Sequence, residues 1–207
     1  MTRFIGYILS VVLCLVACRA SAGGISPFAE VLAWRPSEET STTWASVLSE
    51  SDTSGRIFDA PGLDFDFSPG MRFGFSFQPD DSDWDAKIYW TYLPATSSAS
   101  VPMASHIVIP EFFSGFLSEE LFDCAAIGWA LDYNTIDFEL GYEIPLTEFV
   151  AIRPWTGLKA AIINQSMHVA YTGIFPTQAT EKVSHDYWGI GLNFGVDGRW
   201  DLPTNHP

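Results

Sequence analysis

The stretch MRFGFSFQ, residues 71–78, decides the fold class. Its odd positions are Met or Phe, and its even positions are Arg, Gly, Ser or Gln. Because successive side chains of a β-strand point to opposite faces, this pattern gives one continuously apolar face and one polar face. An amphipathic helix would instead need apolar residues three or four positions apart. The stretch therefore predicts a β-strand between an apolar and a polar environment.

The same alternation recurs along most of the chain. Apolar residues occupy every second position in the segments 85–93, 134–144, 150–162 and 188–197, with shorter runs at 28–34, 127–133 and 167–171. We expect about eight strands, several of them near the roughly 9–11 residues that a tilted transmembrane strand requires. Residues 79–83 read as a hairpin turn. Polar connections are predicted at 36–56, 95–105 and 175–184.

Composition excludes two classes of protein. The chain has 207 residues, 47% of them hydrophobic and 15% aromatic, which is too apolar for a disordered chain. A formal net charge of −15 leaves no basic surplus to neutralise the phosphates of a nucleic acid. The chain is therefore expected to fold, and no nucleic-acid partner is expected.

The N-terminal segment has the organisation of a secretory signal peptide. Arg3 precedes an apolar run at residues 4–17, and Ala20-Ser21-Ala22 supplies a small-residue cleavage site. The apolar run is shorter than the about 20 residues that a membrane-spanning helix needs. Residues 1–22 are therefore predicted to be removed by cleavage after Ala22, which leaves residues 23–207 as the mature domain.

The positions of the cysteines suggest a second kind of export signal and leave one cysteine in the mature chain. Residues 15–18, LVAC, also resemble a bacterial lipoprotein signal, in which Cys18 would be acylated. Either interpretation exports the protein from the cytoplasm. Cleavage after Ala22 removes Cys14 and Cys18 and leaves Cys124 alone. Cys124 is then a candidate for an intermolecular disulfide or a buried free thiol.

Two architectures fit the alternating strands. In a soluble sandwich the apolar face forms the core, whereas in an outer-membrane barrel it meets lipid and the polar face lines the lumen. Small residues on the polar faces, the export signal and aromatic residues near strand ends favour the barrel. Those aromatic residues are Trp84, Tyr92, Trp129, Tyr133, Trp155, Tyr171, Trp188 and Trp200. The predicted fold is all-β, an antiparallel transmembrane β-barrel with meander topology.

Longer strings then resemble one bacterial family. LDFDF at 63–67, PGMRFG at 69–74, WALDYNTIDFELG at 129–141 and RPWTGLKAA at 153–161 are similar to segments of the MOMP-like (major outer membrane protein-like) pore-forming family of Legionella and chlamydia-type bacteria. The resemblance covers most of residues 28–202, and the order and spacing of the strings carry it. It implies a porin of a Gram-negative outer membrane, a passive diffusion channel for small hydrophilic solutes or ions. Its expected partners are outer-membrane lipid and further copies of itself in a homo-oligomer.

The C-terminal residues depart from that family. Its members continue for many more strands, whereas residues 202–207 read LPTNHP, and prolines cannot donate the hydrogen bonds of a strand ladder. The barrel is therefore expected to be incomplete, with residues 23–207 as the N-terminal part of a larger one.

Charged residues on the polar faces are the predicted lumen site. Facing charges of both signs create a transverse field and influence ion preference, and the acidic excess predicts a preference for cations. The predicted lumen-facing charges are Arg72, Lys87, Asp85, Asp137, Glu139, Glu143, Arg153, Lys159 and Asp197.

No catalytic residue, metal site or cofactor is expected. The four histidines have no Cys or His partner at ligand spacing. Ser184-His185-Asp186 is more typical of an ordinary turn, because adjacent residues of a strand point to opposite faces while triad members converge from distant segments. Two alternatives to a channel stay open: a non-conducting structural barrel filled by side chains, and a secreted or lipid-anchored β-sandwich that binds a ligand.

Overall fold

The computed structural model describes residues 24–37, 44–49, 57–103, 106–111, 122–173 and 178–201. Within these ranges the secondary structure is entirely β. The strands are β1 (Ile25–Trp34), β2 (Ala45–Ser49), β3 (Ile57–Asp59), β4 (Ser68–Phe77), β5 (Trp84–Val101), β6 (His106–Pro110), β7 (Phe122–Tyr142), β8 (Ile144–Pro145), β9 (Val150–Gly173) and β10 (Gln178–Trp200). No helix in the described part of the chain has the length and apolar character needed to cross a membrane. The signal peptide, its cleavage after Ala22, the alternative at Cys18 and residues 202–207 lie outside these ranges.

Six long strands form an antiparallel meander in the order β1-β4-β5-β7-β9-β10. Within the described ranges, β1 pairs only with β4 and the last strand, β10, only with β9. The sheet is therefore curled but open, a half-barrel with two edges. The prediction of an all-β, antiparallel and incomplete barrel is confirmed.

Four short strands lie outside the meander, and one of them, β8, pairs with β9. Strand β6 pairs with β2, and β2 pairs with β3. One register pair, Val108 with Phe122, joins β6 to the start of β7. This small unit therefore lies at the end of the half-barrel where β5 ends and β7 begins.

Side-chain exposure shows which face of the curled sheet is apolar. Phe75 is 57% exposed and Phe138 is 46% exposed, whereas Asp137 and Glu139 are 0% and 5% exposed. We call the face that buries Asp137 and Glu139 the inner face, and the face with Phe75 and Phe138 the outer face. A soluble sandwich would bury the aromatic side chains and expose the carboxylates. The sandwich alternative is therefore wrong.

The apolar character of the outer face stops at one level of the sheet. The register aligns Tyr92, Asn134, Ile162 and Trp188 in one row, and the next outer-face row contains Asp132, Asn164 and Asp186. Beyond it the outer face carries small or polar residues: Thr96, Ser98, Ser100, Ala126, Gly128, Ala130, Ser166, His168, Ala170, Thr180, Lys182 and Ser184. We call the part of the sheet between the turns at 78–83 and 143–149 and the Tyr92 row the apolar band. We call the part of the same strands on the other side of that row the extension.

The height of the apolar band matches a bilayer. On β10 the band runs from Trp188 to Trp200, about 40 Å along the strand at about 3.4 Å per residue. A tilt of about 45° reduces this to roughly 28 Å, close to the apolar band of outer-membrane barrels, which is about 25 Å tall. The extension would therefore project out of the membrane.

The inner face changes from charged to apolar at the level where the outer face changes from apolar to polar. Within the band it carries the charged residues, and its first apolar row contains Leu93, Tyr133 and Ile163. In the extension the inner face forms an apolar cluster that includes Trp44, Leu63, Val101, Ala125, Ile127, Val169 and Tyr171. In the band the outer face is apolar. In the extension the inner face is apolar, as in a soluble β-protein.

The extension explains where the predicted connections were wrong. Residues 95–101 belong to β5 and residues 178–184 to β10, and the predicted connection 36–56 contains β2. The pairs of short alternating segments in β7 and in β9 are each one long strand. The described ranges nevertheless contain ten strands rather than about eight, because β2, β3, β6 and β8 are additional short strands. Polar and small residues on the outer face of the extension look like loop sequence. The hairpin turn at 79–83 is confirmed, with Asp81 at φ 60°.

The aromatic residues divide between the two faces. Trp84, Tyr92, Trp188 and Trp200 lie on the outer face, as a membrane-interface position requires. Trp129, Tyr133, Trp155 and Tyr171 lie on the inner face, so their predicted girdle position is wrong. The apolar face is the outer one in the band and the inner one in the extension. Alternation along a strand does not show which of the two faces an aromatic residue occupies.

Candidate functional site

The structure places all nine predicted charges on one side of the sheet. Eight lie on the inner face of the apolar band, and Glu143 follows directly after β7 at the end with the short turns. The eight inner-face charges come from five different strands and form three groups of ion pairs, while Glu143 pairs with Arg199. The role of these residues in a lumen stays a prediction.

Arg153 is the centre of the first group. Its Nε and Nη2 donate to the two carboxylate oxygens of Asp85 at 2.6 and 2.5 Å. Its Nη1 donates to Glu139 at 3.1 Å and to Asp197 at 2.9 Å. These three acids lie on β5, β7 and β10, while Arg153 lies on β9. One guanidinium therefore ties four neighbouring strands together across the inner face.

A glycine makes room for this guanidinium. Gly141 on β7 faces Arg153, and a Cβ added at Gly141 would overlap the guanidinium. The side chain of Arg153 is only 9% exposed, and that of Asp85 is 13% exposed. The missing side chain at Gly141 is thus what allows a large cation to lie flat against the wall.

Arg72 organises the second group. Its Nη1 lies 3.0 Å from Glu30 on β1, and its Nε donates to Thr91 at 3.2 Å. The guanidinium also lies 4.7 Å from the centre of the Tyr89 ring, a cation–π distance. The hydroxyl of Tyr89 donates to Glu139 at 2.5 Å, so Tyr89 joins this group to that of Arg153.

Asp137 is the third centre. It is fully buried, and it accepts from Lys159 at 2.8 Å, from Thr135 at 2.9 Å and from Asn193 at 3.2 Å. A buried carboxylate needs this many donors because an unpaired charge away from water is costly. The charge of Asp137 is therefore compensated inside the protein.

Between these groups lies a water-accessible cavity of about 570 Å³. Its wall includes Arg72, Lys87, Tyr89, Trp155 and Asp197. The side chains of Lys87 and Asp197 are 32% and 53% exposed, and their charged atoms are 3.9 Å apart. These two charges are therefore the ones that a solute in the cavity would meet, while Arg153 and Asp137 are shielded by their partners.

The sequence prediction missed several residues of this face. The hydrogen-bond partners that it did not include among the predicted lumen residues are Glu30, Tyr89, Thr91, Thr135, Trp155 and Asn193. One signal was available, because Glu30 is the only charge in the ten residues of β1. Its partner, 42 positions away on the next strand of the meander, could not be read from the chain.

Other candidate groups do not converge on this face. Cys124 is a partly buried free thiol in the extension, and its intermolecular disulfide stays a prediction. Ser184, His185 and Asp186 are consecutive on β10 and pair with Ser166, Gln165 and Asn164 of β9. Among the described residues, no group of three or more His, Cys, Asp or Glu side chains could hold a metal ion.

Comparison with known proteins gives the family. The family described as Legionella pneumophila major outer membrane protein precursor matches residues 18–206. The chain belongs to this family. Its location is therefore the outer membrane, and the family is one of outer-membrane proteins rather than of enzymes. Searches of curated proteins and of solved structures gave no match.

Proposed function

We propose that the protein is porin-like, with the inner face of the band as the wall of a passive diffusion channel for small hydrophilic solutes or ions. The observation that carries the proposal is the reversed burial in the band, where Phe138 is 46% exposed and the neighbouring Asp137 is 0% exposed. Such a sheet is stable when lipid covers the aromatic face and water contacts the charged face. Membership of an outer-membrane family supports the same arrangement.

The half-barrel needs further strands to close in a membrane. Within the described ranges β1 and β10 each keep one edge without a partner strand. Each unpaired backbone group in lipid costs several kcal/mol, which is roughly the free energy of burying an amide without a hydrogen bond. We propose that residues 23–207 are the N-terminal part of a larger barrel. Association of several copies in the membrane is a separate proposal, as in other porins.

The connections suggest an orientation. Residues 78–83 and 143–149 are short turns at one end of the sheet, while the long connections, residues 35–67 among them, lie at the other. Outer-membrane barrels place short turns in the periplasm and long loops outside the cell. The extension would then project from the cell surface. Export to this membrane through the signal peptide at residues 1–22 is part of the same proposal.

Ion preference would come from the ends of the lumen more than from its middle. The charges of the band are mutually paired, whereas exposed carboxylates lie at the hairpin (Asp80, Asp81) and at the opposite end (Asp64, Asp66). The side chain of Asp64 is 91% exposed although Arg35 lies 3.9 Å away. Fixed negative charge at a channel mouth raises the local concentration of cations. The proposed channel therefore prefers cations.

Planar-bilayer recording tests the proposal on the refolded protein together with the strands that close its barrel. We expect stepwise conductance, a reversal potential of the cation-selective sign in a salt gradient, and heat-modifiable migration on a gel that shows the barrel has folded. Conductance at the level of the empty bilayer, with heat-modifiable protein present, would reject the channel.

That result would favour a second candidate, a non-conducting structural barrel. One observation speaks for it: the apolar cluster around Trp44, Leu63 and Tyr171 fills the inner face of the extension. We propose no enzymatic activity for either candidate.

A further inference from the structure

One segment between β1 and β4 folds against the inner face instead of extending into solvent. We call residues 44–49 and 57–67 the cap; it contains β2 and β3. Trp44 is 1% exposed, Phe65 is 3% exposed, and Ala60 and Leu63 are each 4% exposed. Residues of a free surface loop would keep much larger exposed fractions. The cap is therefore packed as tightly as the interior of a soluble domain.

The cap contacts the walls of three strands. The ring of Phe65 lies edge-on to Trp129 of β7, with 5.6 Å between the ring centres. The hydroxyl of Tyr171 on β9 donates to the carbonyl of Trp44 at 3.2 Å. On β5, the hydroxyl of Ser97 donates to the carbonyl of Asp64 at 2.6 Å. These contacts fix the cap to the inner face of the extension.

Two further hydrogen bonds hold the cap in shape. The indole Nε1 of Trp44 donates to the carbonyl of Pro61 at 2.9 Å, and Nε of Arg35 donates to the carbonyl of Phe65 at 2.8 Å. Each of these bonds has a backbone carbonyl of the cap as its acceptor. The first holds the cap to itself, and the second holds it to Arg35, the residue directly after β1.

The cap has an apolar side and a water-facing side. Leu63 and Phe65 are buried against the wall, while the side chain of Asp64 is 91% exposed and Asp66 is exposed as well. Since the sheet lies behind Leu63 and Phe65, the carboxylates on the opposite side face the water of the curled interior. Residues 63–66 therefore reduce the open cross-section at this end of the half-barrel.

We propose that the cap is the size-limiting constriction of the channel, held against the wall by Leu63 and Phe65. The inference rests on the proposed function, because a constriction limits solutes only where a channel conducts. A solute that leaves the charged cavity toward the long connections must pass the cap. Phe65 and Leu63 are then positioning residues: they act by holding the backbone of the cap in the path.

Labelling measures the packing of the cap without any conductance. In the mature chain, residues 23–207, with Cys124→Ser, the variants Leu63→Cys and Asp64→Cys are compared for reaction with a membrane-impermeant maleimide. We expect Leu63→Cys to react at least tenfold more slowly than its exposed neighbour. Adding Phe65→Ser should bring the Leu63→Cys rate close to the Asp64→Cys rate. Equal rates for the two thiols without Phe65→Ser would overturn the packed cap.

Conductance and liposome swelling then test the constriction. Phe65→Ser is compared with Phe67→Ser, two residues further along the cap, where the side chain is 54% exposed. We expect Phe65→Ser to raise the conductance about twofold or more and to admit larger sugars, while Phe67→Ser behaves as the parent protein. If Phe65→Ser does not fold, Trp129→Ala removes the same contact from the wall side.

The two proposals fail in different ways. A conducting parent protein whose conductance and solute limit are unchanged in Phe65→Ser, although the maleimide shows a loosened cap, overturns the constriction alone. Absence of conductance in the parent and in every variant overturns the proposed channel.

Discussion

Arg153 and Asp85 form a two-point ion pair across the inner face, with Nε–Oδ2 at 2.6 Å and Nη2–Oδ1 at 2.5 Å. The two residues lie 68 positions apart, on β9 and β5, with β7 between them. The pair therefore spans an intervening strand, and Gly141 on that strand leaves the space for it. Long-range polar contacts of this kind fix the register of neighbouring strands, which alternation alone does not specify.

Removing the cation at position 153 should be strongly destabilising. Arg153→Ala leaves Asp85 and Glu139 facing one another without their shared partner, and breaking a buried ion pair costs about 3–5 kcal/mol. Urea unfolding of the barrel in lipid vesicles measures the loss. Arg199→Ala is the control, because its side chain is 57% exposed and an exposed pair is worth about 0–1 kcal/mol. Similar losses for both variants would show that Arg153 is not the centre of the wall.

Gly141→Ala should act through Arg153. The added methyl overlaps the guanidinium, and overpacking of this kind costs about 1–3 kcal/mol. In an Arg153→Ala background the same substitution should cost much less, so the double-mutant cycle gives a non-zero coupling energy. Gly128→Ala on the same strand is the matched control, since nothing lies within 4 Å of its added Cβ. Additive costs at positions 141 and 153 would contradict the contact.

The boundary of the apolar band predicts a contrast on the outer face of β7. Phe138→Arg places a charge in the middle of the band and should cost about 2–4 kcal/mol of stability in a bilayer. Ala126→Arg lies on the same face of the same strand, but in the extension, and should cost little. Unfolding in vesicles of defined lipid measures both. Equal penalties would place the membrane boundary elsewhere.

Lys87 is the exposed cation of the inner cavity, so it should oppose the passage of cations. Lys87→Gln removes a positive charge 3.9 Å from Asp197 and should increase the cation preference, because the cavity then carries more net negative charge. The reversal potential in a salt gradient measures the change. Lys182→Gln, on the outer face of the extension, should leave the potential unaltered. A shift toward anions in Lys87→Gln would contradict the predicted position of Lys87 in the lumen.

Glu181 in the extension gives a pH-dependent prediction. Burial raises its pKa, and its Oε2 has no hydrogen-bond partner among the described residues. The folded state therefore binds this proton more tightly than the unfolded state, so Glu181 destabilises the fold at neutral pH and ceases to do so as the pH falls through its raised pKa. Tyr171 lies within range of the charges of both Glu181 and Glu111, and burial raises the pKa of Tyr171 as well.

Glu181→Gln should accordingly stabilise the extension at pH 7, by up to about 1 kcal/mol, the lower part of the cost of an unsatisfied buried group. The gain should shrink toward pH 4, where the carboxyl of the parent protein is protonated. Thermal unfolding at several pH values measures it, with Glu148→Gln in the exposed turn as the control. A gain that is the same at pH 4 and pH 7 would show that the charge of Glu181 is not its cause.

The alternation within the band could be read from the chain because it is local. In residues 71–77 the faces differ at every step, and a two-residue period needs no knowledge of partners. The same local pattern placed Asp137, Glu139 and Arg153 together on one face, which is the inner face of the sheet. It could not identify Glu30 as the partner of Arg72, or the room that Gly141 leaves for Arg153, since both depend on which strands become neighbours.

The sequence by itself determined that this protein is an all-β chain with one apolar and one charged face, because alternation is a property of neighbouring residues. Only the tertiary structure decided what covers those faces. Once the strands are in register, Phe138 remains exposed and Asp137 is buried, and both faces exchange polarity at the row of Tyr92 and Asn134. The cap residue Phe65 reaches Trp129 only after the sheet has curled. Phe65 and Trp129 are 64 positions apart, so their contact depends on how the whole sheet folds, which no local pattern encodes.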